Sequence, residues 1–142
     1  MKTSARNMLQ GKVESIVGGS VNSEVALRLD SGMALYAIVT NESVHSLGLA
    51  PGKVASALIK SSWVILTSPD DKIVTSARNQ LCGVVSRIEK GVVNTEVVLD
   101  IGFNTSFVAM ITNESQNLFK FSVGSPACAL VKASHVILAV EE

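Results

Sequence analysis

The hydrophobic residues of this chain alternate with polar ones in short runs, and the runs come round again. From Leu9 to Val17, the residues Leu9, Gly11, Val13 and Val17 share one parity while Lys12 and Glu14 take the other, which predicts a half-buried strand. Val21 to Leu29 reads the same way, with Val21, Val25, Leu27 and Leu29 inward and Asn22, Glu24 and Arg28 outward. Met33, Leu35, Ala37 and Val39 mark a third strand over Met33 to Val39. In a fourth, Lys53 to Lys60, Ala55, Ala57 and Ile59 alternate against Val54, Ser56 and Leu58. A corner at Ser61-Ser62 leads into a short fifth, Trp63 to Leu66. Gly18-Gly19, Ser31-Gly32 and Ala50-Pro51-Gly52 supply the turns. Between strands three and four the pattern changes. Thr40-Asn41-Glu42-Ser43 opens a short helix, with Thr40 as N-cap, Glu42 in the positive first turn and Gly48 as the stop.

Sliding the sequence by 72 residues lays Thr75-Ser76-Ala77-Arg78-Asn79 on Thr3-Ser4-Ala5-Arg6-Asn7, and about 29 of the 65 ungapped pairs that follow are identical. The plan is therefore two copies of one module, 1–67 and 75–142, with 68–74 as linker. That linker holds Ser68-Pro69-Asp70-Asp71-Lys72, polar and without periodicity. Five short strands with one helix before the fourth predict an all-β fold: two tandem OB-like five-stranded Greek-key barrels, each with one short helix. A glycine recurs inside the first strand of both copies, Gly11 and Gly83. An interior strand glycine signals a bend or a close backbone approach, which small curved barrels need.

Composition narrows the function. Modules near 65 residues bury only about 60% of the surface their unfolded chains expose. A chain that is 47% hydrophobic carries more apolar surface than two such cores can hide, so packing between modules or self-association is expected. Twelve basic residues balance twelve acidic ones, and aromatic residues are 4%, which argues against a nucleic-acid-binding OB face. No apolar run approaches a membrane span, and Met1-Lys2-Thr3 leads into no signal-peptide core. Cys82 and Cys128 lie only in the second copy, opposite Gln10 and Ser56. They are therefore expected to be unpaired thiols of a cytoplasmic protein rather than a disulfide framework. No metal-cation site is expected from Cys82, Cys128 and His135, which lack paired ligand spacing. His45 and His135 align with Asn117 and Trp63, outside the repeated plan, and no nucleophile stands at readable spacing from a base. An enzyme is not expected, and no catalytic residue is assigned.

Many identities between the copies are packing positions: Val13/Val85, Ile16/Ile88, Val25/Val97 and Leu27/Leu99. The shared polar positions need another explanation. They are Ser4, Arg6, Asn7, Asn22, Glu24, Thr40 to Ser43, Lys60 and Ser62, each with a twin 72 residues on. Most fall at strand ends or in loops, where scaffolds place binding groups. Fixed cations, hydroxyls and helix-start N–H groups form a donor-rich set suited to a small oxyanion. Thr40 serves equally well as a plain cap, Glu42 as a dipole partner, and Arg6 or Lys60 as a solvated surface cation.

The run Ser4-Ala5-Arg6-Asn7 with Leu9 and Gly11, then Val21-Asn22-Ser23-Glu24-Val25, Thr40-Asn41-Glu42-Ser43 and Ile59-Lys60-Ser61-Ser62-Trp63-Val64-Ile65-Leu66, resembles the Mop (molbindin) molybdate-binding domain. Both copies match over nearly their whole length, like the storage molbindins that carry two Mop domains in one chain. The resemblance implies an OB-like fold, a homotrimer of two-module chains, and molybdate held between modules, with tungstate able to substitute. Carried over, the ligand set is Ser4, Arg6, Thr40, Ser43, Lys60 and Ser61, with Ser76, Arg78, Thr112, Ser115 and Lys132 in the second copy. A second class of site, built from main-chain N–H groups, falls at Val21, Asn22, Val93 and Asn94.

The second copy departs from that pattern where Ala133 replaces Ser61, removing one hydroxyl and implying unequal sites. A fully deprotonated tetrahedral dianion only accepts hydrogen bonds, so a donor-only site fits it, whereas protonated phosphate also needs an acceptor. The rival reading is a molybdate-sensing or adaptor OB module working through a protein or nucleic-acid partner. Sensors of that kind carry winged-helix or Walker segments, for which the two modules leave no room, so a stand-alone binding protein is expected.

Overall fold

The computed structural model describes residues 1–70 and 73–142; Asp71 and Lys72, part of the expected linker, lie outside the described residues. The chain forms two compact units. In the first, β1 (Asn7–Gly18), β2 (Asn22–Leu29), β3 (Ala34–Thr40) and β4 (Val54–Ile59) are joined by β10 (Ile137–Ala139) in a sheet ordered β10-β4-β1-β2-β3. In the second, β6 (Asn79–Lys90), β7 (Asn94–Asp100), β8 (Ser106–Thr112) and β9 (Pro126–Val131) are joined by β5 (Ile65–Thr67), in the order β5-β9-β6-β7-β8. Among the described residues the strand pairs are antiparallel, and the edge strands of each sheet touch, β10 with β3 and β5 with β8, so each sheet curls on itself as an OB-like barrel does.

The fifth strand of each sheet comes from the other repeat. The compact units are residues 1–59 with 132–142, and residues 60–131, whereas the sequence repeats run 1–67 and 75–142. Pattern alone could not have shown this, because Val64/Val136, Ile65/Ile137 and Leu66/Leu138 are identical and either copy suits either sheet.

Alternation places the core as expected up to Val13. Leu9 and Val13 are buried, as are Val25, Leu27, Leu35 and Ile59, each at or near zero exposure in the last four cases. Burying such a side chain contributes about 1.5–3 kcal/mol. In the second unit Leu81, Val97, Leu99 and Phe107 hold the matching positions. Val17 and Val21, expected to face inward, are each 67% exposed. A β-bulge explains Val17: the β1–β2 register shifts between Val13 and Ser15, so Ile16 rather than Val17 pairs with Val25. Val21 lies in the turn ahead of β2.

Gly11 and Gly83 are needed for a close backbone approach. A Cβ on Gly11 would stand 2.5 Å from the carbonyl oxygen of Arg28, and one on Gly83 would come closer still to that of Asp100. The hairpin beyond β2 is tied by Arg28, whose Nη1 donates to Gly32 O at 2.6 Å and whose Nη2 donates to Glu14 Oε2 at 2.6 Å. The Glu14 hydrogen bond and charge raise the already high pKa of Arg28.

Helix α1 (Asn41–Leu47) begins and ends as its sequence predicts. Thr40 is the N-cap, and Gly48 closes it at φ 63. Helix α2 (Asn113–Phe119) ends instead on Lys120 at φ 55, a left-handed conformation that costs a side-chain-bearing residue about 1 kcal/mol. Lys120→Gly should therefore raise the melting temperature of the chain by a few degrees, read by thermal unfolding; an unchanged or lowered midpoint would contradict it.

The two cysteines correct an expectation. Cys82 and Cys128 are direct partners across β6 and β9 and are joined by an S–S bond. They had been expected to stay apart as thiols, since Gln10 and Ser56 at the twin positions give no sign of a bond. Cross-strand register brings them face to face. Among the described residues no helix is long and apolar enough to cross a membrane, and no cluster of three metal-ligating side chains is present.

Candidate functional site

The site grows from a three-residue device at the start of α1. Thr40 Oγ1 accepts from Ser43 N–H at 3.1 Å and its own hydroxyl donates to Ser43 Oγ at 2.8 Å. Between them stands Asn41, which ties the helix start to the β1–β2 turn. Its backbone N–H donates to Val21 O at 2.8 Å and its Nδ2 donates to Gly19 O at 2.9 Å, while Ser23 Oγ donates to its Oδ1 at 2.5 Å. The second unit repeats the device. Thr112 Oγ1 donates to Ser115 Oγ at 2.9 Å, and Asn113 reaches Val93 O, Gly91 O and Val92 O. There Thr95 replaces Ser23 as donor to the asparagine.

This bonding pairs the predicted hydroxyls across the first helical turn, Thr40 with Ser43 and Thr112 with Ser115. Each helix has only seven residues, and the N-cap already takes one first-turn N–H. A strong dipole field cannot be expected from two turns, so most attraction for an anion must come from the cationic side chains.

In the first unit a cavity of about 410 Å³ opens beside this device, lined by Asn22, Thr40 and Ser43 together with Ser134 and the apolar Ile38 and Val136. The structure thus brings together Asn22, Thr40 and Ser43 of the predicted set, with the Val21 carbonyl pinned next to them. Ser134 was missing from that set. It arrives on the 3-10 turn Ala133–His135, which packs against β3. The signal was present, because Ser62 and its twin Ser134 stood among the shared polar positions, although neither entered the ligand set carried over by resemblance. In the second unit the 3-10 turn Ser61–Trp63 packs against β8, whose last residue is Thr112.

The other predicted residues occupy different stations. Ser4 and Arg6 are exposed on the strap before β1, where Ala5 N–H donates to Thr3 Oγ1 at 3.0 Å. Ser76 and Arg78 sit likewise before β6, with Ala77 N–H donating to Thr75 Oγ1 at 3.2 Å. Each strap enters its strand through a buried asparagine, Asn7 opposite Ile59 and Asn79 opposite Val131. Lys60 stands at the head of the Ser61–Trp63 turn with its Nζ 5.8 Å from the Trp63 ring centre, a cation–π distance. Lys132 heads the matching turn, where His135 replaces the tryptophan. Ser61 is 7% exposed and its counterpart Ala133 is 2% exposed. Because the turns are exchanged, the hydroxyl missing at Ala133 is missing from the unit that carries Thr40 and Ser43, not from the one that carries Thr112 and Ser115.

Comparison with known proteins gives this arrangement a family context. Residues 3–66 and 75–138 each match the TOBE domain. The chain is 46% identical over 140 residues to the molybdenum-pterin-binding protein MopA of Rhodobacter capsulatus, covering 99% of this chain and 53% of that one. It is 43% identical over 140 residues to the molybdenum transport protein ModE of Azotobacter vinelandii, covering 99% and 52% respectively. The chain spans about half the length of the curated relatives it matches. Among solved structures, the cytoplasmic molybdate-binding protein ModG, with molybdate bound, superposes at a TM-score of 0.96 with 43% identity, covering 99% of this chain and all of that one.

Proposed function

Because the chain belongs to the TOBE-domain family and carries that domain twice, we propose that it binds molybdate, with tungstate as a substitute, and serves as a cytoplasmic store or buffer for the oxyanion. What supports this most is the end-to-end likeness to a molybdate-bound protein of the same two-domain length. The chemistry agrees with it. Arg6, Arg78, Lys60 and Lys132 supply fixed charge, and Ser43, Ser115, Ser4, Ser76 and Ser61 supply hydroxyl donors to an anion that only accepts. Thr40 and Thr112 hold the serines in place, Ser134 and Ser62 join the set, and the turns at Val21-Asn22 and Val93-Asn94 offer main-chain groups. No step of catalysis is needed.

We propose further that three chains assemble around these sites. Val17, Val21, Val92, Val93 and Ile65 are between 64% and 98% exposed, and all but Ile65 lie at the β1–β2 and β6–β7 turns that the asparagine clamps hold. Such surface is costly to leave in water. Elemental analysis of the purified chain with a mass measurement tests both points; a metal-free protein at the single-chain mass would contradict them.

The two kinds of site should differ. A molybdate titration by calorimetry is expected to resolve two classes, and Ala133→Ser should strengthen the weaker class several-fold, about 1 kcal/mol. One uniform class in the wild type, or no response to Ala133→Ser, would contradict the assignment. A second reading, that these domains form the ligand-sensing half of a longer regulator, draws on the doubled length of the ModE relatives. Salt-dependent retention of duplex DNA by the full natural polypeptide would favour it.

A further inference from the structure

The Cys82–Cys128 pair lies in a row of three strands, Cys82 on β6, Cys128 on β9 and Thr67 on β5. The two sulfurs are not equally placed. Cys82 is exposed, whereas Cys128 is 3% exposed. Gln80 Nε2 donates toward Cys82 Sγ at 3.7 Å, which places an amide beside the more accessible sulfur. Beside the bond opens a cavity of about 330 Å³, walled by Thr67, Ser68 and Thr75 of the straps and by Gln80, so its polar groups are hydroxyls and an amide. The twin row of the first unit holds Gln10, Ser56 and Ala139 and has no thiol. Nothing in the oxyanion chemistry uses this place.

We propose that Cys82 is a thiol–disulfide exchange site for small hydrophilic thiols of the cysteinyl-peptide class, with Cys128 as its resolving partner. In the oxidising direction the Cys82 thiolate attacks a small disulfide RSSR, forming a Cys82–SR bond and releasing RS⁻. The Cys128 thiolate then attacks Cys82 Sγ, forming the protein disulfide and releasing the second RS⁻. Each half-reaction breaks one S–S bond and makes another, and the two electrons lost by the protein thiols reduce RSSR to two thiols. Reduction runs the same path backwards, and RS⁻ enters at Cys82 because access decides which sulfur is attacked. The inference stands apart from the molybdate reading.

Glutathione and its disulfide are the probes. The native, reduced wild-type chain is exposed to limiting iodoacetamide, quenched and mapped by peptide mass. Cys82 should be labelled at least about tenfold faster than Cys128. With glutathione disulfide, Cys128→Ser should accumulate a stable adduct on Cys82, while Cys82→Ser should leave Cys128 unmodified in the same time. Equal or reversed labelling in the wild type would overturn the proposal. So would a wild-type bond that glutathione cuts only after denaturant has unfolded the chain. The wild-type map decides the matter even should a single-cysteine variant fail to fold.

Discussion

Replacing Arg6 and Arg78 together by alanine should leave both units folded and strip the chain of most of its retained molybdate. Both arginines are exposed on the straps that precede β1 and β6, outside either core, so their loss removes charge without opening a cavity. A charge-assisted hydrogen bond contributes about 1.5–3 kcal/mol, against about 1 for a neutral one. Losing one such contact weakens each site by about 2 kcal/mol, roughly thirtyfold. The serines left behind cannot compensate, because a hydroxyl offers one proton and no net charge to a dianion. Molybdenum retained per chain after dialysis is the readout, with thermal unfolding as the check on folding. Uptake equal to wild type would contradict the assignment of these side chains.

Among the glycines, Gly83→Ala should be the most damaging replacement. The added carbon would lie inside van der Waals contact of the Asp100 carbonyl oxygen, 2.9 Å from its carbon and 3.1 Å from Ile101 Cα, all backbone atoms that no rotamer change can move. Overpacking of this kind costs about 3 kcal/mol, near the upper end of the usual range. For a unit of this size that lowers the midpoint by on the order of 10 °C. Gly11→Ala meets the Arg28 carbonyl and the movable Leu27 side chain, so it should follow with a similar or slightly smaller loss. A Gly83→Ala chain that melts with wild type would show that β6 can draw away from β7 at no cost.

These glycines also show how far the sequence could be read. An isolated glycine in an otherwise alternating strand pattern says that backbone must pass close by, and it does. Thr40 and Gly48 bracket a helix of the predicted length for equally local reasons, a side-chain cap and a left-handed exit. What escaped was not local. The bulge between Val13 and Ser15 changes the parity of everything beyond it, and no residue type announces it. The exchange of β5 and β10 depends on which of two interchangeable copies pairs with β9 or β4, a choice that identical apolar positions leave open. The cysteine bond needed the register of β6 against β9.

The candidate site divides along the same line. Its hydroxyls and cations were visible as polar positions common to both copies, with no packing reason to recur. How they meet was not, because it turns on which hydroxyls the helix start brings together: Thr40 with Ser43, Thr112 with Ser115. Nor could spacing place Ser134 with Thr40, since the two belong to different repeats and meet only through the exchanged turn.

The most direct measurement is equilibrium dialysis of the purified chain against molybdate, with molybdenum counted per chain and the mass of the assembly determined on the same sample. Molybdenum held through exhaustive dialysis by a multi-chain particle is the predicted result. A particle of any size that emerges with no molybdenum would contradict the claim that these straps, serines and turns form an oxyanion site.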